Sequence, residues 1–177
     1  AIYCERRPAV TIEEAIKTAI EYEKRVRDVY VEALDESTDK VARRVFRLMA
    51  DEEHSHVLYL EAKLGQWVTK QQLFFDDLDT ALPKKEKIQH EVEKLEDTLS
   101  EKKSHQEELQ LLEKARVMEI ETSDFYRKLT EELPEEGKAF FQRFLEIEDG
   151  HLGLVQAEID ALNGPGYWFD IQEFQIR

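Results

Sequence analysis

The chain has 177 residues, of which 37% are charged and 41% hydrophobic, with only 6 glycines and 4 prolines. This composition favours long amphipathic helices over a turn-rich β fold, so we expect one all-α domain spanning residues 1–177. The formal net charge of -15 argues against a nucleic-acid or anionic-membrane partner, because either partner needs a basic surface.

The cysteine count and the hydropathy pattern exclude further classes. The single cysteine, Cys4, rules out an intramolecular disulfide, a Cys-rich zinc site and a rubredoxin-type iron centre within this chain. No apolar run approaches the roughly 18 residues of a membrane span, and the start of the chain lacks a signal-peptide pattern. We therefore expect a cytoplasmic protein.

The first helical hairpin is predicted over residues 11–65. Thr11 and Glu14 form the Thr-x-x-Glu pattern of a capping box, so the first helix should begin there. The cluster at 35–38 should end this helix, and Gly65 is the predicted end of the second. Apolar residues recur at helical spacing along the first helix. They are Ile12, Ile16, Ala19, Val26, Tyr30 and Ala33.

Ionisable residues interrupt the inner faces of this hairpin. The interrupting residue is Glu23 in the first helix, and Glu53 and His56 in the second. A Glu and a His three positions apart on a helix lie on one face, so both side chains can reach a single ion. His54 lies between them in sequence but points about 100° away per residue, so we expect it to be exposed.

A long crossover, residues 66–103, is predicted between the second and third helices. A structureless loop of this length would be unusual in one domain, so a polar helical segment should fill its middle, opened by Pro83. Such a crossover allows the third helix to run parallel to the second, as in ferritin-like bundles.

The second hairpin is predicted over residues 104–163. A capping box at 104–107 should open the third helix, whose inner face is interrupted by Glu119. The turn near Pro134 leads to the fourth helix, whose inner face is interrupted by Glu148 and His151. The tail, 164–177, is too aromatic to be a solvated end and should pack on the bundle or on a partner subunit.

The two hairpins repeat one pattern, Glu-x6-Tyr on one helix and Glu-x-x-His on the next. The copies are Glu23, Tyr30, Glu53 and His56, then Glu119, Tyr126, Glu148 and His151. Glu23 and Glu53 lie about fifteen residues on either side of the first turn, some 22 Å along their helices at ~1.5 Å per residue. The same arithmetic pairs Glu119 with Glu148. Six ionisable side chains should therefore meet at mid-bundle.

These six side chains can be explained by mutual pairing or by metal binding. Mutual pairing would cost several kcal/mol of desolvation for each uncompensated charge. Two divalent cations would balance the four carboxylates. Some helical bundles also hold two metals with one Glu from each of two helices and Glu-x-x-His from the other two. The pattern therefore favours a dinuclear site, whose oxygen-rich donors suit Fe or Mn better than structural Zn, although Zn could occupy it.

The predicted metal ligands divide by role. Glu53 and Glu148 bridge the two metals, Glu23 and Glu119 are terminal ligands, and His56 and His151 bind one metal each. Tyr30 and Tyr126 are either hydrogen-bond partners of these carboxylates or core aromatics with a satisfied hydroxyl.

Through these motifs and the long crossover, residues 11–163 resemble the rubrerythrin branch of the ferritin-like superfamily. The resemblance implies a ferritin-like four-helix bundle, a centre of two Fe ions held by the six ligands above, and peroxide or dioxygen as oxidant. It also implies a homodimer, sometimes with exchanged helices. Rubrerythrins proper add a Cys-rich domain that is missing here, so the electron donor must be separate. Thr122 stands where they commonly carry another Glu.

Three functions are compatible with this pattern. The first is an oxidoreductase that reduces hydrogen peroxide or oxidises Fe(II). The second is a non-catalytic metal-binding protein for storage, delivery or sensing, which would bind two metals tightly without reacting with an oxidant. The third is a helical interaction module without metal.

Overall fold

The computed structural model describes residues 10–73, 78–82, 105–164, 166 and 168. These residues form four helices and no strand, which confirms the all-α four-helix bundle. The helices are α1 (Ile12–Glu36), α2 (Lys40–Lys70), α3 (Gln106–Glu132) and α4 (Glu135–Asn163). The predicted polar helix of the crossover and most of the aromatic tail lie outside the described residues.

The start of α1 confirms the predicted capping box. The Thr11 hydroxyl accepts a hydrogen bond from the Glu14 backbone N–H at 3.2 Å, and the Glu14 carboxylate accepts one from the Thr11 N–H at 3.0 Å. The helix ends at Glu36, within the predicted break, and Asp39 caps α2 by accepting from two backbone N–H groups. Local hydrogen bonding therefore fixes both helix starts in the first hairpin.

The predicted end of α2 at Gly65 is wrong, because the helix continues to Lys70. Glycine in a helix interior costs only about 1 kcal/mol, and packing can outweigh that cost. Leu64 and Trp67 pack against the apolar core on either side of Gly65. The residue that caps the C-terminus of the helix is Gln71, which adopts the left-handed conformation with φ 52°.

The start of α3 differs from the predicted one. The N-cap of α3 is His105, whose side chain makes no capping hydrogen bond, and the predicted cap Ser104 lies outside the described residues. Glu107 and Glu108 lie in the first turn of α3, where their negative charges interact favourably with the positive end of the helix dipole. The start therefore shifts by one residue relative to the prediction.

The relative directions of the helices follow from pairs of contacts between them. The Tyr30 hydroxyl of α1 reaches Glu119 of α3, and the Tyr126 hydroxyl of α3 reaches Glu23 of α1, so these helices are antiparallel. Lys24 pairs with Glu61 of α2 at 3.3 Å, in keeping with the antiparallel first hairpin. Helices α2 and α3 consequently run in the same direction.

Two apolar clusters fill the bundle on either side of a polar layer. One cluster includes Phe46 and Val26, and the other includes Ile20 and Phe144. Along α1, Glu23 lies between Ile20 of one cluster and Val26 of the other. Trp168, an aromatic residue of the tail within the described part of the chain, packs edge-on against Phe46 with ring centroids 5.7 Å apart. None of the helices in the described part of the chain is long and apolar enough to cross a membrane.

Candidate metal centre

The polar layer contains all six side chains that the repeat pattern selected as metal ligands. Each of the four helices contributes from its inner face: α1 and α3 supply one Glu each, and α2 and α4 supply a Glu and a His each. All six are fully buried, whereas His54 is exposed as expected. The structure therefore brings the two Glu-x-x-His pairs and the two single glutamates to one depth.

The first half of the layer is organised around His56. Its Nδ1 atom lies 3.2 Å from Glu23 Oε2, 3.3 Å from Glu53 Oε2 and 3.5 Å from Glu148 Oε1. These three carboxylates come from α1, α2 and α4, so one ring nitrogen meets oxygens from three helices. Together the four residues form a group that could hold a metal ion.

The second half is organised in the same way around His151. Its Nδ1 atom lies 2.7 Å from Glu53 Oε1, 3.8 Å from Glu148 Oε1 and 3.9 Å from Glu119 Oε2. These residues also form a group that could hold a metal ion, with ligand atoms within 4.8 Å of one another. Glu53 and Glu148 belong to both groups.

The two imidazole rings stack in parallel, with centroids 5.4 Å apart and an interplanar angle of 4°. The Nδ1 atom of His56 lies 3.2 Å from Glu23, and that of His151 lies 3.9 Å from Glu119, so each ring also contacts a carboxylate that the other does not. Each histidine thus belongs to its own group of possible metal ligands with a glutamate of α1 or α3. Glu53 and Glu148 lie where bridging ligands would be required.

The two tyrosines of the repeat pair across the hairpins. Tyr30 donates its hydroxyl hydrogen bond to Glu119, and Tyr126 donates to Glu23, so each tyrosine serves the glutamate of the other repeat. Both rings are fully buried. Burial raises the pKa of each phenol well above 10, which keeps both hydroxyls protonated as donors. They are hydrogen-bond partners of the carboxylates as well as core aromatics.

Burial and mutual repulsion control the protonation of the carboxylates. Burial raises the pKa of Glu23 to about 7, and burial together with the charge of Glu53 raises that of Glu119 to about 8. The pKa of Glu148 is raised well above its usual range for the same reasons. Burial also acts to raise the pKa of Glu53, but the facing imidazoles outweigh it and the net shift is downward. Without a cation, the layer can therefore keep little negative charge.

The histidines show the opposite balance. Burial acts to lower the pKa of His56, but its contacts with Glu23 and Glu53 outweigh burial and raise it. The pKa of His151 is raised in the same way, chiefly by the charge of Glu53. In the absence of metal, protons on the imidazoles and glutamates supply the positive charge that the layer needs.

Several atoms of the layer lack a hydrogen-bond partner among the described residues, although all are buried. They are both oxygens of Glu53 and of Glu148, Glu119 Oε2, His56 Nε2, and both nitrogens of His151. His151 Nδ1 and Glu53 Oε1 approach to 2.7 Å without hydrogen-bond geometry. Buried polar atoms normally have hydrogen-bond partners. A cluster of unpaired carboxylate oxygens and imidazole nitrogens is therefore compatible with a bound cation.

Glu52 is a neighbour of the layer that the sequence pattern did not identify. It forms a third possible metal-binding group with His56 and His151, and its Oε2 atom lies 4.0 Å from His151 Nε2. Thr122 is buried and donates its hydroxyl to the Met118 carbonyl at 2.9 Å. Burial is the signal that separates Glu52 from the exposed acidic residues, and sequence does not show it.

Comparison of the chain with protein-family models, with curated proteins and with solved structures finds no match. The case for a metal centre therefore depends on the six side chains, their burial and their distances.

Proposed function

We propose that this is a dinuclear metal protein whose six ligands hold two Fe ions, and that it acts as an oxidoreductase. The substrate would be hydrogen peroxide, which it reduces, or Fe(II), which it oxidises. One observation carries the proposal: two ligand groups, each with its own glutamate and histidine, share Glu53 and Glu148 within one buried layer.

The charge and the donor types support iron or manganese. Two divalent cations would neutralise the four carboxylates, and each metal would receive one imidazole nitrogen and several carboxylate oxygens. Such oxygen-rich sites suit Fe and Mn, whereas structural zinc sites are usually built with thiolate and imidazole ligands. Mn or Zn would still bind if offered, because affinity alone does not discriminate strongly between these metals.

The residues of the layer have separate tasks in this proposal. Glu23 with His56, and Glu119 with His151, would bind one metal each, and Glu53 and Glu148 would contact both. Two neighbouring Fe(II) ions can together supply two electrons to one oxidant molecule, which is the chemistry that peroxide or dioxygen reduction requires.

Tyr126 and Tyr30 orient the terminal carboxylates by hydrogen bonds that leave the other carboxylate oxygen for the metal. Full burial of the six ligands excludes bulk water from the centre. The electron donor that reduces the centre again would lie outside these 177 residues, because their single cysteine, Cys4, cannot form an iron–sulfur or rubredoxin centre. The family resemblance adds a homodimer to the proposal, and the single cysteine adds a cytoplasmic location.

The test combines metal analysis with rapid kinetics. We expect two Fe(II) per chain after anaerobic loading, and fast oxidation of the reduced protein by stoichiometric hydrogen peroxide in a stopped-flow spectrometer. Glu53→Gln and Glu148→Gln should lose both properties. Glu121→Gln, which removes one exposed charge from α3, is the matched control and should retain them. Fewer than two metals per chain, or unchanged stoichiometry in Glu53→Gln, would overturn the proposal.

A non-catalytic metal-binding function is the second candidate, and the complete burial of all six ligands favours it. A centre without solvent contact can hold two metals tightly and exchange them slowly. Two tightly bound metals with no change in absorbance on addition of peroxide or dioxygen would select storage, delivery or sensing over turnover.

A further inference from the structure

Glu52 lies next to the polar layer but is not one of the six proposed metal ligands. Only 9% of its surface is exposed. Its Oε2 atom accepts a hydrogen bond from the Thr80 hydroxyl at 2.7 Å, and its Oε1 atom accepts one from the Ala81 N–H at 2.8 Å. The carboxylate is thus held in place by the short segment 78–82, on the outer side of the histidine pair.

The histidines present their second nitrogen to this side. Nδ1 of each ring faces the carboxylate layer, and Nε2 of each ring is buried without a hydrogen-bond partner among the described residues. A neutral imidazole that gives Nδ1 to a metal carries its remaining proton on Nε2. That N–H group needs an acceptor, since a buried donor left without a hydrogen bond destabilises the folded state.

For His151, the Glu52 carboxylate is a nearby candidate acceptor. Glu52 Oε2 lies 4.0 Å from His151 Nε2, and a shift of about 1 Å would bring the two atoms to the usual hydrogen-bond distance. A carboxylate oxygen has two lone pairs, so Oε2 can accept from His151 while keeping its bond to Thr80.

The other half of the layer lacks this carboxylate. Glu52 immediately precedes Glu53, and the matching position before Glu148 is Ile147, which is buried and apolar. Glu52 makes its ion-pair contact with His151, and among the described residues none within 4.0 Å joins it to His56. The repeat is therefore broken at one position. Glu52 lies near both histidines, and its ion-pair contact at 4.0 Å is with His151.

We propose that Glu52 is a positioning residue that accepts the Nε2–H of metal-bound His151 and makes the metal position at Glu119 and His151 the tighter of the two. A carboxylate on the outer nitrogen fixes the ring tautomer and orientation and increases the basicity of the inner nitrogen. The inference rests on the proposed function only in requiring two bound metals, and it does not depend on iron or on turnover.

Zn(II) is a suitable probe because it is diamagnetic and has no redox chemistry. We expect stepwise titration of the metal-free wild-type protein to give two sites of unequal affinity, with the tighter site lost in His151→Ala. Glu52→Gln should weaken the tighter site by about 10–100-fold and leave the other unchanged. Asp51→Asn removes one exposed charge at the neighbouring position and should change neither affinity.

Nitrogen-15 NMR of the Zn-loaded protein gives a readout that a purely structural role would not change. In wild type, His151 should show a protonated Nε2 that exchanges slowly with water. In Glu52→Gln, a neutral acceptor replaces the carboxylate, so the His151 Nε2–H signal should shift and exchange faster. The His56 signal should stay the same in both proteins.

Thr80→Val separates positioning of His151 from anchoring of segment 78–82, because it removes one bond to Glu52 and keeps the carboxylate. We expect both Zn affinities to remain within about threefold of wild type. Equal weakening of both sites in Glu52→Gln, or a Thr80→Val effect as large as that of Glu52→Gln, would overturn the role. If wild type binds two Zn and Glu52→Gln matches it, only this inference fails. If wild type binds none, the proposed function fails as well.

Discussion

Raising the pH should destabilise the protein once its metals have been removed. The pKa values of Glu23 and Glu119 are raised to about 7 and about 8 from an ordinary value of 4.5. A carboxyl group with a raised pKa binds its proton more tightly in the folded state. Its stabilising contribution is therefore complete below pH 4.5 and is lost as the pH rises through the folded pKa. The loss should fall between the ordinary pKa of 4.5 and the raised values, that is, between about pH 4.5 and about pH 8.

The expected size follows from the difference in pKa between the folded and unfolded states. At about 1.4 kcal/mol per pH unit, the change from 4.5 to about 7 gives about 3 kcal/mol for Glu23 alone. The raised pKa values of His56 and His151 act in the same direction. The lowered pKa of Glu53 affects stability only at more acidic pH. Glu119 shares these neighbours, so its contribution will not simply add.

Urea unfolding of chelator-treated protein at about pH 5.5 and about pH 8.5 measures this effect. A loss of about 3 kcal/mol corresponds to a fall in Tm of about 6–12 °C for a domain of this size. Glu23→Gln/Glu119→Gln cannot titrate at these positions and should lose much of the pH dependence. Stability of the metal-free wild type that is constant or rises over this range would refute the reasoning. So would an equally steep loss in the double variant.

Metal binding, the tyrosines and the glycines give three further expectations. Metal affinity should rise with pH over the same range, with proton release detectable by titration calorimetry, since the ligands must deprotonate. Tyr30→Phe and Tyr126→Phe should each destabilise the metal-free protein by about 1–3 kcal/mol in urea unfolding, because a buried carboxylate loses its donor; a loss below about 0.5 kcal/mol would contradict this. Gly150→Ala should raise Tm, since a Cβ there meets no atom within 4 Å and alanine favours helix by about 1 kcal/mol. Gly137→Ala should gain less, because its Cβ would lie 3.1 Å from Leu133.

Helical periodicity was sufficient to predict the bundle and the convergence of its inner polar residues. Periodicity identifies which face of a helix is inward, and equal distances from a turn place Glu23 and Glu53 at one depth. The capping box at Thr11 could also be predicted, because its hydrogen bonds join residues three positions apart. These features depend on local sequence alone.

Features that depend on contacts distant in sequence could not be predicted. Gly65 is a strong local signal for a helix end, but packing of Trp67 on the core extends α2 beyond it. Glu52 belongs to an acidic run and resembles its exposed neighbour Asp51, and its burial and its hydrogen bonds with Thr80 and Ala81 distinguish it. The predicted tyrosine–carboxylate bonds likewise gave no hint that each tyrosine would serve the other repeat.

That crossed pairing of the tyrosines gives the bundle an approximate two-fold axis, which passes between the two histidine rings. Tyr30 and Glu119 exchange places with Tyr126 and Glu23 under this rotation. Contacts related in this way are those of an isologous interface, in which one surface is complementary to itself. A dimer of the first hairpin alone would consequently present two copies of Glu23, Glu53 and His56, which is the complete donor set of the present centre. The two halves differ at Glu52, because the matching residue of the second half is the apolar Ile147.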